Sequence, residues 1–341
     1  QRGNTIDPNS NYAFGEGGAG TFSDGKLKHG AADAYNHRVL SEFVSHGAPE
    51  EILYDANPHV GTDLLSEIIK SLRKKIIALG GEFHFGARLC GFIVKNKKIK
   101  GVRYIYKGEE LQIAADKVIL AIGHSARDTF LMLADTGVAM EARGFGIGVR
   151  IEHPRKHIDR MIYGDHAEEI EQAASYHLVT HLKNGRSVYS FCMCPGGVVV
   201  SATSVEGSVV TNGMSYHARN GVNSNSALLV GVSAADFGSD DALAGMYFQE
   251  KIERKAFSYS NSYKAPCQRL ADFIGGVSTK HFMSVTPTYQ NGVVAGDITC
   301  CLPRKVTDVI KAGVPALARQ LPGFDCGDAL LTAPETRSSS P

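Results

Sequence analysis

Two cysteines separated by a single residue, Cys192 and Cys194, are the side chains in this sequence best suited by type and spacing to redox chemistry. In an extended strand, residues two apart share one face, so both thiols would point the same way. They could form a redox pair, or one could act as a thiolate. A C-x-C disulfide closes a very tight ring, so packing at a domain interface is the competing reading. The run Pro195-Gly196-Gly197 beside them suggests a close backbone approach. Cys300-Cys301 and the isolated Cys90, Cys267 and Cys326 show no partner spacing, and C-x-x-C does not occur, so no metal site is expected.

His124 follows an apolar run, 117–122, that reads as a strand buried on both faces of a parallel sheet. Sites in open α/β sheets gather at the carboxyl ends of strands, which makes His124 the candidate proton-handling residue. The alternative is a histidine that satisfies a helix start, with Ser125 capping a helix to about residue 135. His59, just before a helix, is a weaker candidate. Arg150 and Glu152 alternate with Val149 and Ile151 and could share a polar face lining a cavity, and Arg337 could pair with a carboxylate or an anion. For each of these a surface or interdomain ion pair is the plainer account. G-x-S-x-G does not occur, so a hydrolase is not indicated.

Residues 15–20 satisfy G-x-G-x-x-G literally. A dinucleotide fingerprint needs an apolar strand before it and a helix after it. Here residues 9–14 form no such strand and residues 21–26 are turn-like, so this is not the primary nucleotide turn. A glycine-rich turn can still present consecutive backbone N–H groups to an anion, with Thr21, Ser23 and Lys26 adding donors and charge.

These residues need elements to hold them. The first 30 residues read as an ordered loop. Helices follow at 33–46 and 62–79, the second amphipathic through Leu65, Ile68, Ile69, Leu72, Ile76 and Leu79, with Thr62 as N-cap and Gly80-Gly81 as its stop. Short strands at 82–85, 91–95, 101–106 and 110–114 read as a β-meander whose tip carries Lys95 to Lys100. From 144 the texture becomes that of a larger mixed sheet, with strands at 144–152, 176–182, 187–192, 198–203 and 228–232 and helices at 244–256 and 304–319. A domain boundary is expected near 143.

Composition narrows the classes. The chain has 341 residues, enough for about two domains. Its 43% hydrophobic and 21% charged residues suit an ordinary globular protein. Thirty-six Lys+Arg against 35 Asp+Glu give a net charge of +1, without the basic excess a nucleic-acid binder needs. No stretch approaches the ~20 apolar residues of a membrane span, and no secretory signal is visible. Seven scattered cysteines suggest reduced thiols and a cytoplasmic location. Oligomeric state is not legible.

Several blocks in one order resemble a family of FAD-dependent, NAD-utilising dehydrogenases related to flavoproteins of the glutathione-reductase type. They are FGEGGAGTFSDGKL at 14–27, PHVGTD at 58–63, AIGHSARD at 121–128, SFCMCPGG at 190–197, TNGMS at 211–215 and ETRSSSP at 335–341. The resemblance implies an α/β (α+β) fold: an incomplete three-layer FAD/NAD(P)-binding domain at 1–143, an inserted β-rich substrate or interface domain at 144–328, and a return at 329–341. Family members carry a strand–GxGxxG–helix unit before the segment that matches Gln1 and a second glycine-rich segment after Pro341, so the chain resembles the family without its two ends. The implied activity is hydride transfer from NAD(P)H through FAD to a small, unidentified acceptor. The alternatives are a non-catalytic scaffold or binding protein, and a thiol oxidoreductase using Cys192 and Cys194.

The resemblance also implies roles. Gly17, Gly18, Ala19, Gly20, Thr21, Ser23, Asp24 and Lys26 would lie along the flavin and its phosphates. Arg88 and Leu89 would pass the adenine, Gly123 and His124 would end the strand re-entering the nucleotide sheet, and Thr336 and Arg337 would return towards the flavin. His124 and Cys194 are the candidate catalytic residues.

Overall fold

The computed structural model describes residues 6–27 and 34–338. Asp33, at the expected start of the first helix, and Ser339, in the returning segment, lie outside the described residues. Helices α1 (Ala34–Ser45) and α2 (Thr62–Ala78) meet over a small core of Ile52, Val60 and Ile68, joined by Leu40, Phe43, Leu65 and Leu72. The far end of the α2 stripe is uncovered, with Leu79 78% exposed. Thr62 is the first helical residue and not the cap. Gly61 holds that position at φ 88°, where an added Cβ would sit 2.4 Å from the His217 nitrogen.

Strands β1 (Arg88–Lys95), β2 (Lys98–Tyr106) and β3 (Glu109–Ala114) form the expected antiparallel meander. Asn96 and Lys97 both take left-handed φ at its first turn, the geometry of a two-residue hairpin loop. The expected strand at 82–85 is absent. Phe83 and Phe85 stack on each other at 5.9 Å instead of entering a ladder. Nor is 117–122 a strand: Ile119 is 92% exposed, and no described strand pairs with it. A strand buried on both faces needs neighbours on two edges and cover on two sides, and the described residues supply neither. Helix α3 (Arg127–Asp135) then begins with Ala126 at its cap, so Ser125 is free for another partner.

The remaining chain builds a seven-stranded mixed sheet around β4 (Phe145–Pro154), which runs into helix α4 (Arg155–Tyr163). In chain order come β5 (Val179–His181), β6 (Ser187–Cys194), the short β7 (Val198–Ser201) and β8 (Thr211–Met214), and β9 (Asn223–Val232). Helices α5 (Ala234–Phe237) and α6 (Ala244–Ser260), strand β10 (Ala265–Arg269), helix α7 (Leu270–Gly275), strand β11 (Val293–Ala295), helix α8 (Arg304–Gln320) and strand β12 (Leu330–Glu335) follow. The sheet order is β11-β10-β12-β4-β9-β6-β5, antiparallel throughout except for β10–β11, while β7 and β8 pair separately. The chain is therefore a mixed α+β fold. No described helix is long and apolar enough to cross a membrane.

Strand β4 is buried on both sides. Ile147, Val149 and Ile151 share a core with Val306, Ile310, Val314 and Leu317 of α8, each such side chain contributing about 1.5–3 kcal/mol by leaving water. The opposite face carries Arg150 and Glu152, both fully buried, beneath the β7–β8 pair. The polar face read from the sequence therefore exists, but it is an interior hydrogen-bonded layer and not a cavity wall.

Candidate functional site

The glycine-rich loop, the turn entering β1 and the segment before α3 surround a groove of about 660 Å³. Gly17, Gly18, Ala19 and Gly20 line one side, Arg88 and Leu89 another, and Gly123 and His124 a third. Eight of the expected site residues, from three separated stretches of sequence, thus share one cleft. Its volume falls within the ~300–1,000 Å³ usual for cofactor and ligand sites. Gly17 takes φ 74° and opens a 3-10 turn, Gly18–Phe22, with no strand before it, as expected for a loop that is not the primary nucleotide turn. An added Cβ on Gly20 or Gly123 would meet nothing within 4 Å, so the groove is open at these positions.

The loop is pinned from behind. Glu16 pairs with Arg73 of α2 at 2.7 Å, and the Thr62 hydroxyl donates to the Thr21 carbonyl. Four expected contact residues serve the loop itself and do not line the groove. The Thr21 hydroxyl donates to the Gly18 carbonyl at 2.8 Å, and that of Ser23 to the Gly20 carbonyl at 2.7 Å. Asp24 is fully buried between Arg219 and Lys26. Burial alone would raise its carboxyl, but Lys26 and Arg219 hold it below the usual range. Lys26 also donates to the Met193 carbonyl, tying the loop to β6.

His124 presents a buried Nε2 with no partner, and its Nδ1 lies 3.5 Å from the Ser125 hydroxyl. Burial, reinforced by Arg337, pulls the imidazole down to about 4. It is neutral at neutral pH, which narrows its chemistry to hydrogen bonding without change of charge. Behind it lies an ion cluster. Arg337 grips Glu253 through two hydrogen bonds of 2.9 Å and reaches the Ser125 hydroxyl at 2.9 Å. Arg127 adds a third bond to Glu253 at 3.0 Å and leaves its Nη1 buried without a partner. Thr336, expected beside the cofactor, instead donates to Glu253 at 2.8 Å. Glu253 and Arg127 were not anticipated. Glu253 does leave a trace, since it falls on the buried α6 stripe with Met246, Gln249, Ile252 and Ala256.

A second polar centre surrounds Arg150. Its guanidinium meets Glu335 at 3.1 and 3.2 Å, Asn225 at 2.7 Å, the Cys192 carbonyl at 2.6 Å and the Cys194 sulfur at 3.2 Å. Gly213 makes room for it, because an added Cβ there would lie 2.1 Å from Nη2. Burial pushes Glu335 up to about 7 against the opposing pull of Arg150. Cys194 is buried, whereas Cys192 is half-buried.

His59 stacks on His217 at 5.2 Å. His153 and His157 stand four residues apart, but each directs Nε2 to a backbone carbonyl, of Phe324 and Gly323. Among the described residues no group of His, Cys, Asp and Glu is placed to hold a metal ion. A further cavity of about 590 Å³ beside α6, lined by Tyr247, Lys251 and Lys255, contains no expected site residue.

Residues 144–338 match the family described as FAD-dependent protein, C-terminal domain-like. A protein of Clostridium beijerinckii (strain ATCC 51743 / NCIMB 8052), described as an uncharacterized protein, is 46% identical over 340 residues, a match covering 98% of this chain and 63% of that protein. The chain thus spans less than two thirds of that relative's length. With the matched segment forming the whole seven-stranded sheet and its covering helices, the chain belongs to the FAD-dependent protein, C-terminal domain-like family.

Proposed function

We propose that this chain is the greater part of an FAD-dependent oxidoreductase that draws reducing equivalents from NAD(P)H and delivers them to a small acceptor. The observation that carries the reading is the groove in which the glycine loop, Arg88–Leu89 and Gly123–His124 converge. The residues suit the cofactor. Glycines leave backbone N–H groups bare for an anion, open space remains over Gly20 and Gly123, and the orphaned Nε2 of His124 needs a polar partner. When bound, FAD supplies the two-electron redox chemistry.

The chain's own groups then have defined tasks. Gly17 to Gly20 cradle the anionic portion, and Arg88, paired with Asp128 at 3.4 Å, stands at one wall. His124, held neutral, gives or accepts one hydrogen bond. The Arg127–Glu253–Arg337 cluster fixes His124 and Ser125 and carries a net positive charge behind them. Two arginines against one buried carboxylate favour electron-rich states nearby, because charges act strongly where water is excluded.

The test is anaerobic. The purified chain, supplied with FAD, is mixed with NADH or NADPH, and flavin absorbance is followed. Bleaching faster than that of free FAD by at least about tenfold supports the reading; equal rates with both nicotinamides would remove the NAD(P)H part of it.

A further inference from the structure

The Cys192–Cys194 pair is not used by the groove, and its geometry is unusual for a strand. A flat strand advances about 3.3 Å per residue, so residues two apart sit near 6.6 Å, close to the upper end of the ~4.4–6.8 Å between Cα atoms that a disulfide tolerates. Here the strand is not flat. The β6–β9 register slips by one residue between Phe191 and Cys194, a β-bulge placed on the pair itself. Cys192 takes φ 44°, a left-handed conformation that is strained for a non-glycine residue. Across the bulge the Cys194 thiol turns back and donates to the Cys192 carbonyl at 3.4 Å. Bulges and strained residues persist where the surroundings over-determine them. Here Arg150 does so, binding both the Cys192 carbonyl and the Cys194 sulfur.

We infer that Cys192 and Cys194 are a thiol–disulfide exchange pair, with half-buried Cys192 attacking a low-molecular-weight disulfide and buried Cys194 resolving the adduct. The inference is independent of flavin binding. Charge around the pair suits these parts. Interaction with Cys194, then Arg150 and Lys26, holds the Cys192 thiol below its ordinary range against burial and Asp24, while the same interaction and burial push Cys194 up. The Cys192 thiolate, its proton given to water, attacks one sulfur of RSSR. The S–S bond breaks, a Cys192–S–S–R bond forms, and RS⁻ leaves and takes up a proton. Cys194 then loses its proton and attacks the Cys192 sulfur. The Cys192–Cys194 disulfide forms and a second RS⁻ leaves, also to be protonated. RSSR gains two electrons and two protons to become two RSH, and the dithiol loses the same. A reducing dithiol restores the pair by the reverse exchange.

The test uses the whole chain, glutathione disulfide and non-reducing mass spectrometry. The tryptic peptide 187–219 contains both cysteines and no other. In the native sequence it should become two hydrogens lighter. In Cys194→Ser it should stop one glutathione heavier, with Cys192 modified at least tenfold faster than Cys90 or Cys326, which are also half-buried. In Cys192→Ser, Cys194 should remain unmodified over the same interval. An unchanged native peptide, or Cys192 modified no faster than Cys90 and Cys326, would overturn the inference. The native-sequence result alone decides it if a variant fails to fold.

Discussion

Arg337 and Glu253 are locked side to side, Nε to Oε1 and Nη2 to Oε2, each at 2.9 Å, with neither side chain more than 5% exposed. The bond joins the end of β12 to α6, and through Ser125 and Arg127 it also holds the segment that carries His124. Loss of one partner leaves the other's charge buried and uncompensated. Glu253→Gln should therefore destabilise the protein by about 3–5 kcal/mol in urea unfolding, and adding Arg337→Met should recover part of that loss. An additive double variant would show that the pair is not coupled.

Acid should expose the same bond. Burial opposes the Glu253 charge, but Arg337 and Arg127 prevail and bring its carboxyl down to about 2. Unfolded, the group titrates near 4.5, so its contribution is complete above that pH and is lost as pH falls towards 2. The urea midpoint of the native chain should drop through this window, and that of Glu253→Gln should drop less.

Two buried histidines add a slope at higher pH. Burial holds His124 and His153 near 4, against 6.5 when unfolded. Between those values the unfolded chain binds protons that the folded one refuses, so stability rises with pH from about 4 to 6.5. Nuclear magnetic resonance should find both rings neutral at pH 6. A ring titrating near 6.5 would contradict its placement.

Much of this was legible in the sequence, and the failures have physical causes. Alternation revealed β4, β6 and β9, and helical spacing revealed α6 and α8, because each presents a continuous apolar pattern to one core. Strands β10 and β12 were missed; each contains a proline, Pro266 or Pro334, which reads against a central strand. The apolar run at 117–122 reads as a buried strand, yet pattern alone cannot provide the neighbours that make it one. At the site, the residues that the resemblance singled out, Gly17 to Gly20, Arg88 with Leu89, and Gly123 with His124, line three sides of one groove. The Glu253 clamp stayed hidden because its members lie as far as 212 positions apart, as with Ser125 and Arg337. Thr21, Ser23 and Asp24 were recognised as important, but sequence cannot say whether such side chains face a ligand or their own loop.

Arg150 depends on the missing side chain of Gly213. Gly213→Ala puts a methyl group 2.1 Å from Nη2 and should cost about 1–3 kcal/mol by overpacking. It should also slow alkylation of Cys192, whose carbonyl Arg150 binds, measured with iodoacetamide at pH 7. Unchanged stability and reactivity would mean that the layer yields freely.

Filling the groove should separate binding from folding. Gly20 has open space over it and no left-handed φ, so Gly20→Leu should fold with an unchanged urea midpoint and bind FAD at least tenfold more weakly by fluorescence titration. Equal affinity would place the cofactor elsewhere.

A visible absorption spectrum of the folded chain, recorded after incubation with FAD and desalting, decides whether this cleft receives a flavin. Flavin bands should co-elute with the protein, shifted from those of free FAD, and should be lost in Gly20→Leu. A folded protein that emerges colourless would contradict flavin binding in this cleft.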